Sequence, residues 1–207
     1  YPYWHGAYKN IKVSSLREEI IQGLPRGYYQ VSDTMQKVEH SVESMLPFLQ
    51  YFNRDVEIVP ILVPFISIDK MSEIAKPLSL AILESMKNHN LQWGKDIALL
   101  ITTDAVHYGD EDWGGKNMAP YGVDSSGYKK AVAHEHGIID SCLTGELTAE
   151  KVKLFFDYTV QKENYKEYKW TWCGRYSIPL GLLTALELQN QLKSEPLQGQ
   201  LVGYSTS

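Results

Sequence analysis

The run DIALLITT at residues 96–103 constrains what this chain can fold into more than any other feature. It is apolar and β-branched almost throughout, as expected of a central strand buried on both faces of a sheet. At Asp104 the run breaks into a loop that carries His107 three residues on, then Asp110, Glu111, Asp112 and the pair Gly114-Gly115. In α/β proteins, ligands sit beyond the carboxyl ends of the strands, so this boundary is a natural place for chemistry. The competing reading is a solvated turn.

The remaining pattern alternates in the same sense. VSSLREEIIQGLP (13–25) offers a Ser cap, a following Glu and a Gly-Leu-Pro stop, which predicts a short helix. EHSVESMLPFLQYF (39–52) places Val42, Met45, Leu46 and Leu49 at helical spacing, with Ser41 as the expected N-cap. Pro47 inside it predicts a kink or a later start. Val56 to Ile66 reads as a strand. Residues 69–89 form a helix, with Ile74, Ala75, Leu78, Ile82 and Met86 on one face. Further helices fit 125–144, 148–161 (opened by Thr148 and Glu150) and 178–192, where Pro179 lies in the first turn. QLVGYSTS (200–207) reads as a last strand. The alternation predicts an α/β fold, with a mostly parallel or mixed central sheet covered by helices, and 207 residues suit one domain.

A net charge of -5 argues against a broad phosphate-binding surface, so no nucleic-acid partner is expected. No run approaches the roughly 18 apolar residues of a membrane span. Cys142 and Cys173 make no obvious disulfide framework, so a reducing, cytoplasmic compartment is the expectation. The aromatic share of 12% suits aromatic-lined clefts, although aromatic residues are also core filler.

Three places carry candidate chemistry. Asp104 beside His107 would fix the imidazole tautomer and raise its basicity, as a general base or a metal ligand requires. The plainer reading is a histidine capping a strand end. Glu39, His40 and Ser41 precede a helix whose N-terminus favours anions, and simple capping is the alternative. Cys173 lies in WTWCGRYSIP, where a following helix start and Arg175 are expected to lower the thiol pKa. That suits a nucleophile or a soft metal ligand, against the common case of an inert buried Cys. Cys142 reads as core. His134 and His136 are two apart on a helix, so they read as surface, and His5 and His89 have no supporting partners. Gly114-Gly115 is too short to cradle a phosphate.

EHSVESMLPFLQ followed by VEIVPILV, then TTDAVHYG, then TWCGRYSIPLGLLTALELQ, resembles the Memo family, also known as AmmeMemoRadiSam system protein B. The likeness covers residues 36 to 207. Members typically show a Glu-His-Ser-hydrophobic-Glu helix start, a Ser-Asp-x-x-His-x-Gly strand end and a Cys-Gly-Arg helix start. Here these are Glu39 to Glu43, Thr103 to Gly109, and Cys173-Gly174-Arg175. The resemblance implies a fold similar to class III extradiol dioxygenases, which are non-haem iron enzymes. It makes His107 the acid/base histidine, Cys173 a metal-ligating thiolate and Asp104 a neighbour in the same pocket. A thiolate favours Fe(II), copper or zinc.

The family's Pro-His-Ala-Gly and Ser-His-His motifs do not occur in this sequence. Tyr176 stands where a His usually follows Cys-Gly-Arg, and Met45 where the helix motif has a second His. The resemblance therefore implies either that the sequence lacks an N-terminal segment of the family fold or that this member has lost those ligands. The expected protein is a single Memo-like α/β domain acting as a metal-dependent oxidoreductase. His107 and Asp104 would be catalytic, Cys173 would bind the metal, and His40, Glu39 and Arg175 would hold substrate. The alternative is a non-catalytic scaffold that binds a peptide or small anion in the same cleft, with Arg175, Trp170 and Trp172 as the recognition surface.

Overall fold

The computed structural model describes residues 2–110 and 117–205. The helices form where caps and apolar spacing agree. In α4 (Ile68–Asn88) the Ser67 side chain accepts the Lys70 N–H, and Met71, Ala75, Leu78, Ile82 and Met86 bury one stripe. Helix α1 (Leu16–Gly23) packs on α4, and α7 (Ser177–Leu192) packs against both α4 and α6 (Ala149–Thr159). Helix α5 (Ser125–Cys142), capped by Asp124, lies against α6, which is capped by Thr148. A short helix, α2 (Asp33–Val38), precedes α3 (Ser41–Phe52).

Helix α3 corrects two expectations. It begins at Ser41 rather than later and continues as one helix through Pro47, whose missing hydrogen bond, to Glu43, lies on the exposed side. Its N-cap is His40 rather than Ser41, and the Glu39 carboxylate takes the Ser41 N–H in place of a cap side chain.

The expected central parallel sheet is absent among the described residues. Two small antiparallel pairs occur instead: β1 (Tyr3–Trp4) with β2 (Ile11–Lys12), and β3 (Gly145–Glu146) with β4 (Gln198–Gly199). The 56–66 run touches a neighbour through one parallel bridge, Val13 to Ile58, and the 96–103 run through Trp93 to Ile97. The last strand is Gln198–Gly199 rather than 200–207, and residues 206 and 207 lie outside the described residues, as does Gly114-Gly115. Apolar, β-branched sequence specifies a half-buried extended run, but a ladder also needs a neighbour alongside.

The core divides into three clusters. One joins Met71 and Ala75 to Val152, Phe156, Tyr176 and Leu180. A second joins Ile20 to Leu78, Ile82, Met86 and Leu188. The third gathers Ile138, Cys142, Phe155, Trp170 and Trp172. Burial pushes the Cys142 thiol up to about 11, which makes it the inert core cysteine expected. Among the described residues, no helix is long and apolar enough to cross a membrane.

The outlying histidines are better partnered than their spacing suggests. His134 and His136 are half-buried, with rings 4.5 Å from Trp170 and 4.4 Å from Tyr204. His89 Nε2 lies 2.5 Å from Glu19 Oε1, and His5 Nδ1 lies 3.1 Å from Asn10 Oδ1.

Between His134 and His136, Glu135 turns inward and accepts the Tyr204 hydroxyl at 2.6 Å. Burial pushes its carboxyl above the ordinary 4.5, although Tyr204 and His136 oppose the shift. A carboxyl raised in the folded state contributes stability below the unfolded pKa and loses it as pH rises through the folded pKa. Glu135→Gln, which still accepts from Tyr204, is therefore expected to raise the melting temperature at neutral pH and flatten its acid-side slope. A variant melting at or below wild type at pH 7 contradicts this.

Candidate metal centre

The site is assembled by backbone pairing between segments far apart in sequence. His107 N–H donates to Thr171 O at 3.0 Å, Cys173 N–H donates to Ala105 O at 3.0 Å, and Val106 bridges Trp172. The Thr171 hydroxyl donates to His107 O. Trp170 and Trp172 anchor this ladder in the third core cluster, the second packing edge-on to Phe155 at 5.1 Å. Thr102 Oγ1 donates to Ser41 O at 3.0 Å, which draws the start of α3, and His40 with it, to the same place.

The three side-chain donors converge as a result. One ligand atom each from Asp104, His107 and Cys173 lies within 4.8 Å of the others. Asp104 Oδ2 stands 3.8 Å from His107 Nε2 and 3.7 Å from His40 Nε2, so one carboxylate oxygen faces both imidazoles. His40 is open to solvent, with its side chain 77% exposed, whereas that of His107 is 26% exposed.

Gly174 is part of the construction. A Cβ there would stand 2.4 Å from Thr103 Cγ2 and 3.0 Å from Ile178 Cδ1, so only glycine lets the cysteine loop approach the 103–105 segment this closely. Gly174→Ala is expected to cost about 1–3 kcal/mol through this overlap. An unchanged denaturation midpoint would show that Thr103 yields freely.

The expected net lowering of the Cys173 thiol is reversed, although Arg175 does act on it in the expected direction. The Cys173 thiol is pushed up, first by burial and then by the Asp104 charge, while Arg175 and hydrogen bonds to Tyr168 and Thr103 oppose this. Helix α7 begins at Ser177, four residues after Cys173. Arg175 is buried, its guanidinium 3.5 Å from the centre of the Tyr168 ring and 4.5 Å from that of Tyr176, with Nη2 donating to Lys166 O at 3.4 Å. It packs inside the loop, and its buried Nε has no hydrogen-bond partner among the described residues. Glu39 is likewise occupied with the Ser41 N–H.

Tyr168 and Thr171 belong to the site's framework, although neither lies within the Cys-Gly-Arg motif. The available signal was the alternation of Tyr168, Trp170 and Trp172, whose period of two is that of a strand.

The model of a family described as Memo-like protein matches residues 8–207. A MEMO1 family protein of Thermococcus kodakarensis is 34% identical over 87 residues, covering 40% of this chain and 27% of that protein. One from Pyrococcus furiosus is 36% identical over 84 residues, 39% of this chain and 26% of its own length. One from Thermotoga neapolitana is 30% identical over 110 residues, 53% and 36% respectively. The matches thus span only about a quarter to a third of these relatives. No solved structure matches the chain.

Proposed function

Because the chain belongs to the Memo-like protein family, we propose that Cys173, His107 and Asp104 bind a transition-metal ion in a cleft serving metal-dependent oxidoreductase chemistry. The observation that carries this is the convergence of a thiol, an imidazole and a carboxylate within 4.8 Å. The donor set fits Fe(II), zinc or copper. A carboxylate cluster alone would suit Mg or Ca, and the sulfur moves the preference to softer ions. Three protein ligands also leave room in the coordination sphere for a reactant. When bound, such an ion supplies Lewis-acid or one-electron chemistry.

The chain's own residues do the rest. Cys173 anchors the ion from a half-buried position. Asp104 would be the carboxylate ligand, its Oδ2 lying 3.8 Å from His107 Nε2 and 3.7 Å from His40 Nε2, beyond hydrogen-bond reach of either ring. His40, exposed at the rim and fixed at the start of α3, contacts substrate. Glu39 keeps that helix start in place through the Ser41 N–H, and Arg175 braces the loop on the far side of Cys173.

The test is an anaerobic titration of the 207-residue chain with Fe(II), Cu(I) and Zn(II), alongside the double variant Asp104→Asn, His107→Ala. One equivalent per wild-type chain and clear weakening in the variant are expected. No stoichiometric binding, or binding indifferent to the double change, retires the metal reading. Binding of a phosphotyrosine peptide without metal would then favour a recognition cleft.

A further inference from the structure

A charge taken out of water needs a counter-charge or a full set of hydrogen bonds, and Arg175 has neither. The residue is only 4% exposed. Among the described residues, no carboxylate forms an ion pair with its guanidinium. Its Nε is buried without a hydrogen-bond partner, and Nη2 reaches Lys166 O at 3.4 Å. Aromatic rings hold the group instead. The guanidinium stands 3.5 Å from the centre of the Tyr168 ring, 4.5 Å from Tyr176 and 5.7 Å from Phe65. Phe65 meets Tyr176 edge-on at 5.5 Å, and the Tyr176 hydroxyl donates to Tyr165 O at 2.5 Å, so the cage is itself tied down. Ring faces attract a cation without neutralising it.

The unspent charge faces the donor cluster. Arg175 follows Cys173 by two residues, in a turn where its own N–H donates to Trp172 O at 3.3 Å. Its field reaches the sulfur, since it opposes the rise of the Cys173 thiol. Tyr168 joins the two groups: its ring carries the guanidinium, and its hydroxyl hydrogen-bonds to the sulfur.

We propose that Arg175 is a positioning residue of the metal centre, whose caged charge acts through Cys173 and Tyr168 to favour the lower oxidation state of a bound ion. This rests on the metal reading above. Asp104 and a Cys173 thiolate bring two negative charges to the ion, and the guanidinium offsets one of them. A further positive charge on the ion is then less well stabilised than it is without Arg175. Tyr168 works in the same direction, because a hydrogen bond to a ligating sulfur draws off electron density that stabilises the oxidised ion. A unit charge within about 10 Å of an ion, at an effective dielectric of about 20, alters the balance between oxidation states by about tenfold.

The test is the midpoint potential of iron bound to the 207-residue chain, measured anaerobically with mediators and read from the paramagnetic resonance of the ferric ion. Arg175→Met keeps length and apolar packing but removes the charge. It is expected to shift the couple towards Fe(III) by about tenfold, which is ~59 mV for one electron. Arg175→Lys keeps the charge and stacks less well, and its potential should stay close to wild type. Tyr168→Phe, which retains the ring beneath the guanidinium, should shift the couple in the same direction as methionine and by less. Equal potentials in wild type and Arg175→Met overturn the proposal. A lysine variant that shifts as far as the methionine one also overturns it, by making Arg175 a packing residue. Should Arg175→Met fail to fold, an unshifted Tyr168→Phe overturns it instead. Stoichiometric iron with a potential indifferent to these changes leaves the metal reading standing and removes this inference alone. A wild-type chain that takes up no iron removes both.

Discussion

Cys173→Ser is expected to weaken transition-metal binding by more than about 100-fold, since loss of an outer partner alone costs about 10–100-fold and this change removes a ligand atom. Serine keeps the size and the hydrogen-bonding contacts to Tyr168 and Thr103, so the ladder through Ala105 survives. What disappears is a polarisable sulfur that can give up its proton to the ion. Because burial and the Asp104 charge push that thiol up, the metal must displace a proton at neutral pH. Affinity should therefore climb with pH, about tenfold per unit while the thiol remains protonated, and this slope should vanish in the serine variant. Isothermal titration at several pH values reads both effects. Equal affinity in wild type and variant would remove Cys173 from the site. Cys142→Ala is the matched control: that thiol is wholly buried in the third core cluster, and no change in metal affinity is expected.

Phe155→Ala is expected to be the most damaging core substitution, at about 3–5 kcal/mol. Phe155 has no exposed surface and is the largest fully buried side chain among the described residues. Its ring meets Trp172 edge-on at 5.1 Å, and Trp172 lies opposite Val106 in the ladder that brings Cys173 to His107. The cavity should thus be felt twice, as lower stability in urea and as looser geometry at the donor cluster. Phe155→Leu should lose less of both. A cost below about 1 kcal/mol for the alanine variant would mean that α5 and α6 collapse into the space.

The legible parts of the fold were the helices. Thr148 before Glu150, and the spacing of Ile74, Ala75, Leu78 and Ile82, act within one or two turns, so local chemistry sufficed to place α6 and α4. The apolar character of the runs at 56–66 and 96–103 is legible in sequence, but their having only one bridge each among the described residues is not, because pairing depends on what lies alongside and not on the run itself. His89 shows the same limit in miniature: its partner Glu19 is 70 residues away.

The candidate site divides along the same line. The sequence by itself determined which residues carry reactive groups, Asp104 and His107 at a strand end and Cys173 before a helix, together with the order of motifs that identifies the family. Only the tertiary structure decided that these three meet within 4.8 Å, that Arg175 turns inward onto Tyr168, and that the Cys173 thiol shifts up rather than down. The reason is physical. Motif identity is written in neighbouring residues, whereas proximity and desolvation depend on contacts such as Thr171 to His107, which join residues 64 apart in the chain.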